Sequence, residues 1–301
     1  MTIVVGLAPG ERGLAALQLA AVLARSFSDD LVLVTIVPTP WPPDPNRQDA
    51  EYLAYLEQAA EQTQAKARAE LGNELSLDCV LHRARSVSSG VVEVARERGA
   101  SLVTLGSSAR GLLGLVTLGG VGQRVLHTSD IPVAVAPTGY VEHPHTRVRR
   151  ITVAFGRVDG DSDLVIRAAE MAEQIGASLR VVCFAVRPLT VFSGSIEQSA
   201  ETLVVDEWVR RLDADVDRAV RSYRTGSAGE GDVQTRVERV VGQGSSWAEA
   251  IADVTWAEGD LLAVGASTSP VSRFFLGSHA SKIVRNSPVP VYVLPRSIPI
   301  P

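Results

Sequence analysis

Two stretches of this 301-residue chain carry residues suited to holding an anion. The first runs Gly106-Ser107-Ser108-Ala109-Arg110 and leads to Gly119-Gly120; the second runs Gly265-Ala266-Ser267-Thr268-Ser269 and leads to Gly277-Ser278. Each follows an apolar run that reads as a strand, and each ends where a helix should begin. Glycine lets a backbone approach a ligand closely, and the free N–H groups of a helix start attract negative charge, so the chemistry suits a phosphate. Ser278 adds a hydroxyl donor, and Arg110 and Arg273 are placed to screen charge. The same residue types also serve ordinary turns and helix caps, so spacing alone leaves both readings open.

Other clusters point to less. Asp159, Asp161 and Asp163 alternate like the opening of a calcium loop, with Glu170 at the twelfth position, but the sixth is Leu164 where that loop needs Gly. Acidic residues entering a helix N-terminus account for the run. Glu142, His143 and His145 could offer metal ligands, yet no fourth ligand is evident and a solvated linker accounts for them. His82 and His127 have no visible partner in the sequence, and His279 reads as an exposed helix-terminal residue. There is no nucleophile elbow, no catalytic carboxylate pair and no intact Walker-type loop.

These residues must be positioned by an alternating pattern of strands and helices. Strands are expected at Ile3 to Leu7, Leu31 to Val37, Leu77 to His82, Ser101 to Leu105 and Val133 to Ala136. Helices should fall at Leu14 to Arg25, Asp49 to Leu71, Val87 to Arg98 and Gly119 to Thr128. A proline-rich loop with Trp41, Pro42 and Pro43 follows the second strand and would hang beside the cleft. Near-continuous Val/Leu strands alternating with helices imply a parallel sheet covered on both faces. The order then repeats. Strands are expected at Ile151 to Phe155, Leu179 to Ala185, Val233 to Val237, Leu261 to Val264 and Val291 to Leu294. The helices between them fall at Asp163 to Ile175, Glu197 to Tyr223, Ser246 to Thr255 and Ser278 to Arg285. Tyr52, Tyr55 and Trp208 on the long helices are expected in the core, and Ser222 to Asp232 in a loop.

The repeat is explicit at the ends of the halves. RVLHTSDIPVAVAP (Arg124 to Pro137) and KIVRNSPVPVYVLP (Lys282 to Pro295) lie a constant 158 positions apart. The fold class is therefore α/β, with two tandem doubly wound domains, each a five-stranded parallel sheet expected in the order 3-2-1-4-5. Residues 1–138 form the first domain, 139–149 a polar linker and 150–301 the second. In such a sheet ligands sit at the carboxyl ends of the strands where the winding reverses, between strands one and four.

Composition narrows the partners. A net charge of −5, with no basic cluster beyond Arg147, Arg149 and Arg150, argues against nucleic acid. No apolar run reaches the ~20 residues of a membrane helix, and the opening MTIVVGL reads as a strand rather than a signal, so a cytoplasmic protein is expected. Cys79 and Cys183, in strands of different halves, are expected as reduced, buried thiols.

The sequence resembles the universal stress proteins in their tandem form, with two UspA-like domains. The resemblance rests on FFLGSHASKIVRNSPVPVYVLPR (Phe274 to Arg296), VTLGSSARGLLGLVTLGGVGQRVLHTSDIPVAVAP (Val103 to Pro137) and IVVGL at the start. It implies the family pattern Gly-x2-Gly-x9-Gly-Ser/Thr as an ATP site, and pairing of strand five with its counterpart, so that fusion builds the dimer within one chain. The departures are specific. The Asp that binding members place after strand one is Ala8 in the first half and Gly156 in the second. The second motif glycine is Ala109 and Thr268, and Gly119-Gly120 lacks the hydroxyl that Gly277-Ser278 keeps. Losing a charged hydrogen-bond partner costs about 1.5–3 kcal/mol, or tenfold or more in affinity. The expectation is a non-enzymatic stress-response protein with degenerate nucleotide sites, acting through protein partners or conformation and able to self-associate further. The alternative is a regulatory protein that binds ATP in its second half through Gly265, Thr268, Gly277 and Ser278, with slow hydrolysis.

Overall fold

Runs such as Ile3-Val4-Val5 and Leu261-Leu262-Ala263-Val264 have no polar face, so they are stable only with a layer on each side. The computed structural model shows how this is met. It describes residues 2–8, 11–39, 47–72, 74–108, 111–141, 143–156, 161–186, 237–269 and 272–295, with Arg210, Ala214, 216–218 and Arg221 (at 267–269 and 272–275, the backbone). The first half runs β1 (Thr2–Gly6), α1 (Glu11–Phe27), β2 (Asp30–Pro38), α2 (Arg47–Leu71), β3 (Leu77–Ala84), α3 (Val87–Glu97), β4 (Leu102–Gly106), α4 (Gly120–Thr128) and β5 (Val133–Ala136). The second runs β6 (Arg150–Ala154), α5 (Asp161–Ile175), β7 (Ser178–Val186), β8 (Glu238–Gly244), α6 (Trp247–Ala252), β9 (Asp260–Gly265), β10 (Ser267–Ser269), β11 (Ser272–Phe275), α7 (Ser278–Arg285) and β12 (Val291–Leu294).

The sheets of the two halves join. One ten-stranded sheet runs β3-β2-β1-β4-β5-β12-β9-β6-β7-β8, so each half has the expected order. Every pair in it is parallel except β5 with β12, where Val133 faces Val293, Ala134 faces Tyr292 and Val135 faces Val291. That seam removes two Val-rich edges which would otherwise invite aggregation. One core layer includes Ala15, Ala16, Ala20 and Ala24 of α1 and Ala168 and Ala172 of α5, whose small side chains let the helices lie close on the sheet. It is continuous across the seam, because α1 touches α5. The other layer packs α3 and α4 on Val4, Val34 and Val103.

Several expectations are corrected. Of the stretch expected as the second half's third strand, Val233 to Val237, residues 233–236 lie outside the described residues; the third strand described there is Glu238–Gly244. It pairs with β7 from Arg180↔Glu238 to Val186↔Gly244 and forms the sheet edge, so Glu238, Arg239 and Gln243 stand exposed. Tyr52 and Tyr55 are exposed rather than core, because Ala60 and Ala67 carry the inward face of α2. Trp208 and the Ser222 to Asp232 segment lie outside the described residues. The helix expected at Ser246 to Thr255 ends at Ala252, and both it and α3 are capped by a serine hydroxyl, Ser246 and Ser86.

The linker is docked rather than free in solvent. Val148 N–H donates to Ser26 Oγ at 2.8 Å, and Thr146 Oγ1 donates to Glu258 Oε1 at 2.6 Å. The histidines separate: His143 pairs with Glu258 at 3.0 Å and His145 with Glu74 at 2.6 Å, one carboxylate from each half. Glu142 lies outside the described residues, among which no group of three metal-ligand side chains occurs. Beneath the second half, Arg150 grips the buried Asp260 through Nε (2.8 Å) and Nη2 (2.7 Å). The buried Arg180 lies 3.5 Å from the same carboxylate and 4.9 Å over the Trp256 ring.

Candidate functional site

The winding of the first half opens a cleft at the carboxyl ends of β1, β2 and β4. A cavity of about 400 Å³ fills it, lined by Gly6–Ala8, Val34–Pro38, Leu105–Ser108 and Gly119–Gly122, with Val87 and Val91 of α3 and Leu56 of α2. The expected residues Gly106, Gly119 and Gly120 are thus brought together, whereas Ala109 and Arg110 lie outside the described residues. So do Trp41, Pro42 and Pro43, although β2, which leads to them, ends at the cavity with Pro38.

The loop that delivers Gly119 is stapled from within. Ser107 is buried; its hydroxyl donates to Ala136 O (2.7 Å) and accepts from Thr117 N–H (2.9 Å). Ser108 N–H donates to Thr117 O at 2.8 Å. Gly119 lies so close to Ser108 that an added Cβ would sit 3.3 Å from Ser108 Cβ. Gly119 then N-caps α4 in extended conformation, and no side chain caps the helix. The first helical bond runs from Gln123 N–H to Gly119 O, so the N–H groups of Gly120, Val121 and Gly122 have no acceptor within the helix, no side chain caps them, and all three residues line the cavity. Such a helix start attracts an anion. The rest of the wall is mostly aliphatic and suits an apolar or aromatic body. Of the polar side chains, Thr35 already accepts from Gln64 Nε2 (3.3 Å).

The second half differs where it counts. The seventh residue of the second strand is Ile36 in β2 but Phe184 in β7. The residue opening the helix after the serine cap is Val87 in α3 but Trp247 in α6. The second residue of the last helix is Val121 in α4 but His279 in α7. Phe184 and Trp247 meet edge-on at 6.4 Å, Trp247 and His279 lie 5.3 Å apart, and Lys282 Nζ sits 5.9 Å from the Trp247 ring. An aromatic stack therefore occupies positions that in the first half are aliphatic cavity wall.

Gly265 ends β9 beside Leu294, and Gly277 caps α7 without a side-chain bond, leaving Ser278 exposed at the helix start. Thr268 is not in a turn as expected. It lies in β10, which pairs antiparallel with β11 through Ser267↔Phe275 and Ser269↔Ser272. The aromatic stack was legible only as scattered Phe, Trp and His residues; aligning the halves position by position would have exposed it.

A doubled, doubly wound α/β chain with a cleft at the strand ends of its first half and its two sheets joined through strand five is thereby defined. The chain belongs to the universal stress protein family, which matches residues 1–137 and 147–295. It is 38% identical over 305 residues to universal stress proteins of Mycobacterium bovis and Mycobacterium tuberculosis, covering 98% of this chain and 100% of theirs. A universal stress protein from Archaeoglobus fulgidus DSM 4304 superposes with a TM-score of 0.60 at 15% identity, over 98% of both chains. A structure from Pseudomonas aeruginosa UCBPP-PA14 gives 0.55 at 16%, over 97% of this chain and 92% of its own. At those identities the structural likeness speaks to the fold alone. Among the described residues, no helix is long and apolar enough to cross a membrane.

Proposed function

We propose that this is a non-enzymatic stress-response protein that binds an adenine nucleotide in the first half and uses the second half as a structural partner. The carrying observation is the 400 Å³ cavity that ends on the uncapped start of α4. Its aliphatic walls suit a base, and the N–H groups of Gly120–Gly122 suit phosphate. This reading moves the site from the second half, which the intact Gly277-Ser278 pair favoured, to the first. The support is the difference between Val87 and Val121 on one side and Trp247 and His279 on the other. With Ala8 at the cavity where family resemblance calls for Asp, affinity is expected to be modest.

Calorimetric titration with ATP tests this. Val121→Asp puts a carboxylate at the phosphate end and should abolish binding, whereas Gly277→Asp should leave it intact. If Gly277→Asp alone abolishes binding, the nucleotide sits in the second half and the proposal is wrong. A second reading, vestigial sites with function carried by a protein partner, is favoured by Leu112, Leu113 and Val141. These are 72%, 82% and 73% exposed, and Leu113 lies against Gly139, two residues from Val141. No heat at millimolar ATP would turn attention there.

A further inference from the structure

Three hydroxyl residues interrupt the aliphatic wall of the first-half cavity: Thr35, Ser107 and Ser108. Ser107 is saturated by Ala136 O and Thr117 N–H, and Ser108 abuts Gly119 at the α4 end. Thr35 is different. It is 6% exposed, and its Oγ1 lies 3.3 Å from Gln64 Nε2. The same Gln64 atom lies 2.9 Å from Val80 O, and a carbonyl only accepts, so this atom is the amide nitrogen. Gln64 is therefore the donor to Thr35, and the Thr35 hydroxyl hydrogen must point elsewhere. Among the described residues it meets no acceptor. Buried donors are paired almost without exception in folded proteins, and this one belongs to a residue on a cavity wall.

The repeat shows which way the position faces. Thr35 is the sixth residue of β2 and Cys183 the sixth of β7. The neighbouring backbone is alike in both halves, with Leu7 N–H donating to Val34 O (2.9 Å) and Phe155 N–H to Val182 O (2.8 Å). Cys183 Sγ donates to Phe155 O at 2.9 Å, so a side chain here is directed at the residue that follows the half's first strand. In the first half that residue is Leu7, which lines the cavity, and Thr35 makes no corresponding bond. In the sheet β1 separates β2 from β4, so β2 lies two strand spacings, about 10 Å, from the strand that leads to α4.

Resting on the reading that the first-half cavity binds an adenine nucleotide, we propose that Thr35 selects the base. With the phosphates on the start of α4, the other end of the ligand reaches β2, where the Thr35 hydroxyl donates to an unprotonated ring nitrogen of the purine. Gln64 sets the direction of that bond by occupying the hydroxyl oxygen. A ligand without an acceptor at this place leaves the donor unpaired and is rejected.

The experiment titrates ATP and its 1-deaza, 3-deaza and 7-deaza analogues, each with one ring nitrogen replaced by C–H, into the full chain and into Thr35→Val. Valine keeps the shape of threonine and removes the hydroxyl. ATP should bind the variant about tenfold more weakly. One of the three analogues should bind the unmodified chain about tenfold more weakly than ATP, and bind the variant with no further loss. Thr35→Ser, which keeps the hydroxyl, should bind ATP nearly as the unmodified chain does. Unchanged ATP affinity in Thr35→Val would overturn the proposal. So would an equal loss for ATP and all three analogues, because threonine would then act through packing rather than through a bond to a ring nitrogen. Should Thr35→Val not fold, the analogue series on the unmodified chain still decides: equal affinity for all four ligands refutes the proposal. If the unmodified chain binds none of them, the adenine-nucleotide reading itself fails and takes this assignment with it.

Discussion

Transplanting the second half's aromatic residue into the first gives the sharpest test of where the ligand sits. Val87 opens α3 at the cavity wall, directly after the Ser86 cap, and Trp247 holds the same place in α6. In Val87→Trp the cap is untouched, and the new ring has a cavity of about 400 Å³ to enter. If roughly 100 Å² of the ring's 150–250 Å² is buried, apolar transfer contributes about 2.5 kcal/mol. Fixing the rotamer takes back about 1 kcal/mol, for a net gain near 1.5 kcal/mol and a Tm higher by a few degrees. A ligand displaced from the same area loses a similar 2.5 kcal/mol, so ATP affinity should fall between ten- and a hundredfold. Calorimetry and thermal melting on the same preparation read both numbers. A site in the cavity requires them to move in opposite directions, with stability up and affinity down. Wild-type affinity in Val87→Trp would refute the placement, and a large loss of stability would show that the space is not available to a ring. The reciprocal Trp247→Val should leave ATP binding unchanged.

Three further outcomes follow from the packing. Gly242→Ala would set a Cβ 2.2 Å from the Ala250 carbonyl oxygen and should destabilise by about 1–3 kcal/mol, whereas Gly122→Ala meets only Leu118 Cδ2 at 3.6 Å and should stabilise α4 by up to about 1 kcal/mol. Denaturant midpoints distinguish the two. Asp260→Ala leaves Arg150 and Arg180 without their buried carboxylate and should cost about 3–5 kcal/mol, measurable by the same titration. Acid should loosen the docked linker, because hydrogen bonds to the charged form hold two carboxylates below the usual Glu value of 4.5: Glu74 through His145, and Glu258 through the Thr146 hydroxyl. Lowered values mean the stabilisation is complete above about pH 4.5 and disappears as pH falls through the depressed values, so hydrogen exchange at 143–148 should accelerate there while β5 and β12 stay protected.

Sequence periodicity was enough for the doubled architecture, because strands buried on both faces must be apolar throughout and repeat at a fixed spacing. Val133–Ala136 and Val291–Leu294 were recognisable as equivalent elements before their pairing was seen, and Gly106, Gly119 and Gly120 as a cleft at the strand ends. Such features are local: they depend on neighbours along the chain and on the alternation of helix and strand. The choice between the two halves was not local. Gly277 and Ser278 favoured the second, but Phe184, Trp247 and His279 are 63 and 32 residues apart in sequence and stack only when β7, α6 and α7 converge. Likewise Ser267–Ser269 carries no mark of pairing with β11, nor β11 of lying against a helix more than a hundred residues earlier. Residue types and spacing determined that each half would carry a glycine after its fourth strand and a glycine at the start of its last helix. What surrounds them was decided by tertiary packing, which lines the first half's cleft with aliphatic side chains and stacks Phe184, Trp247 and His279 in the second half.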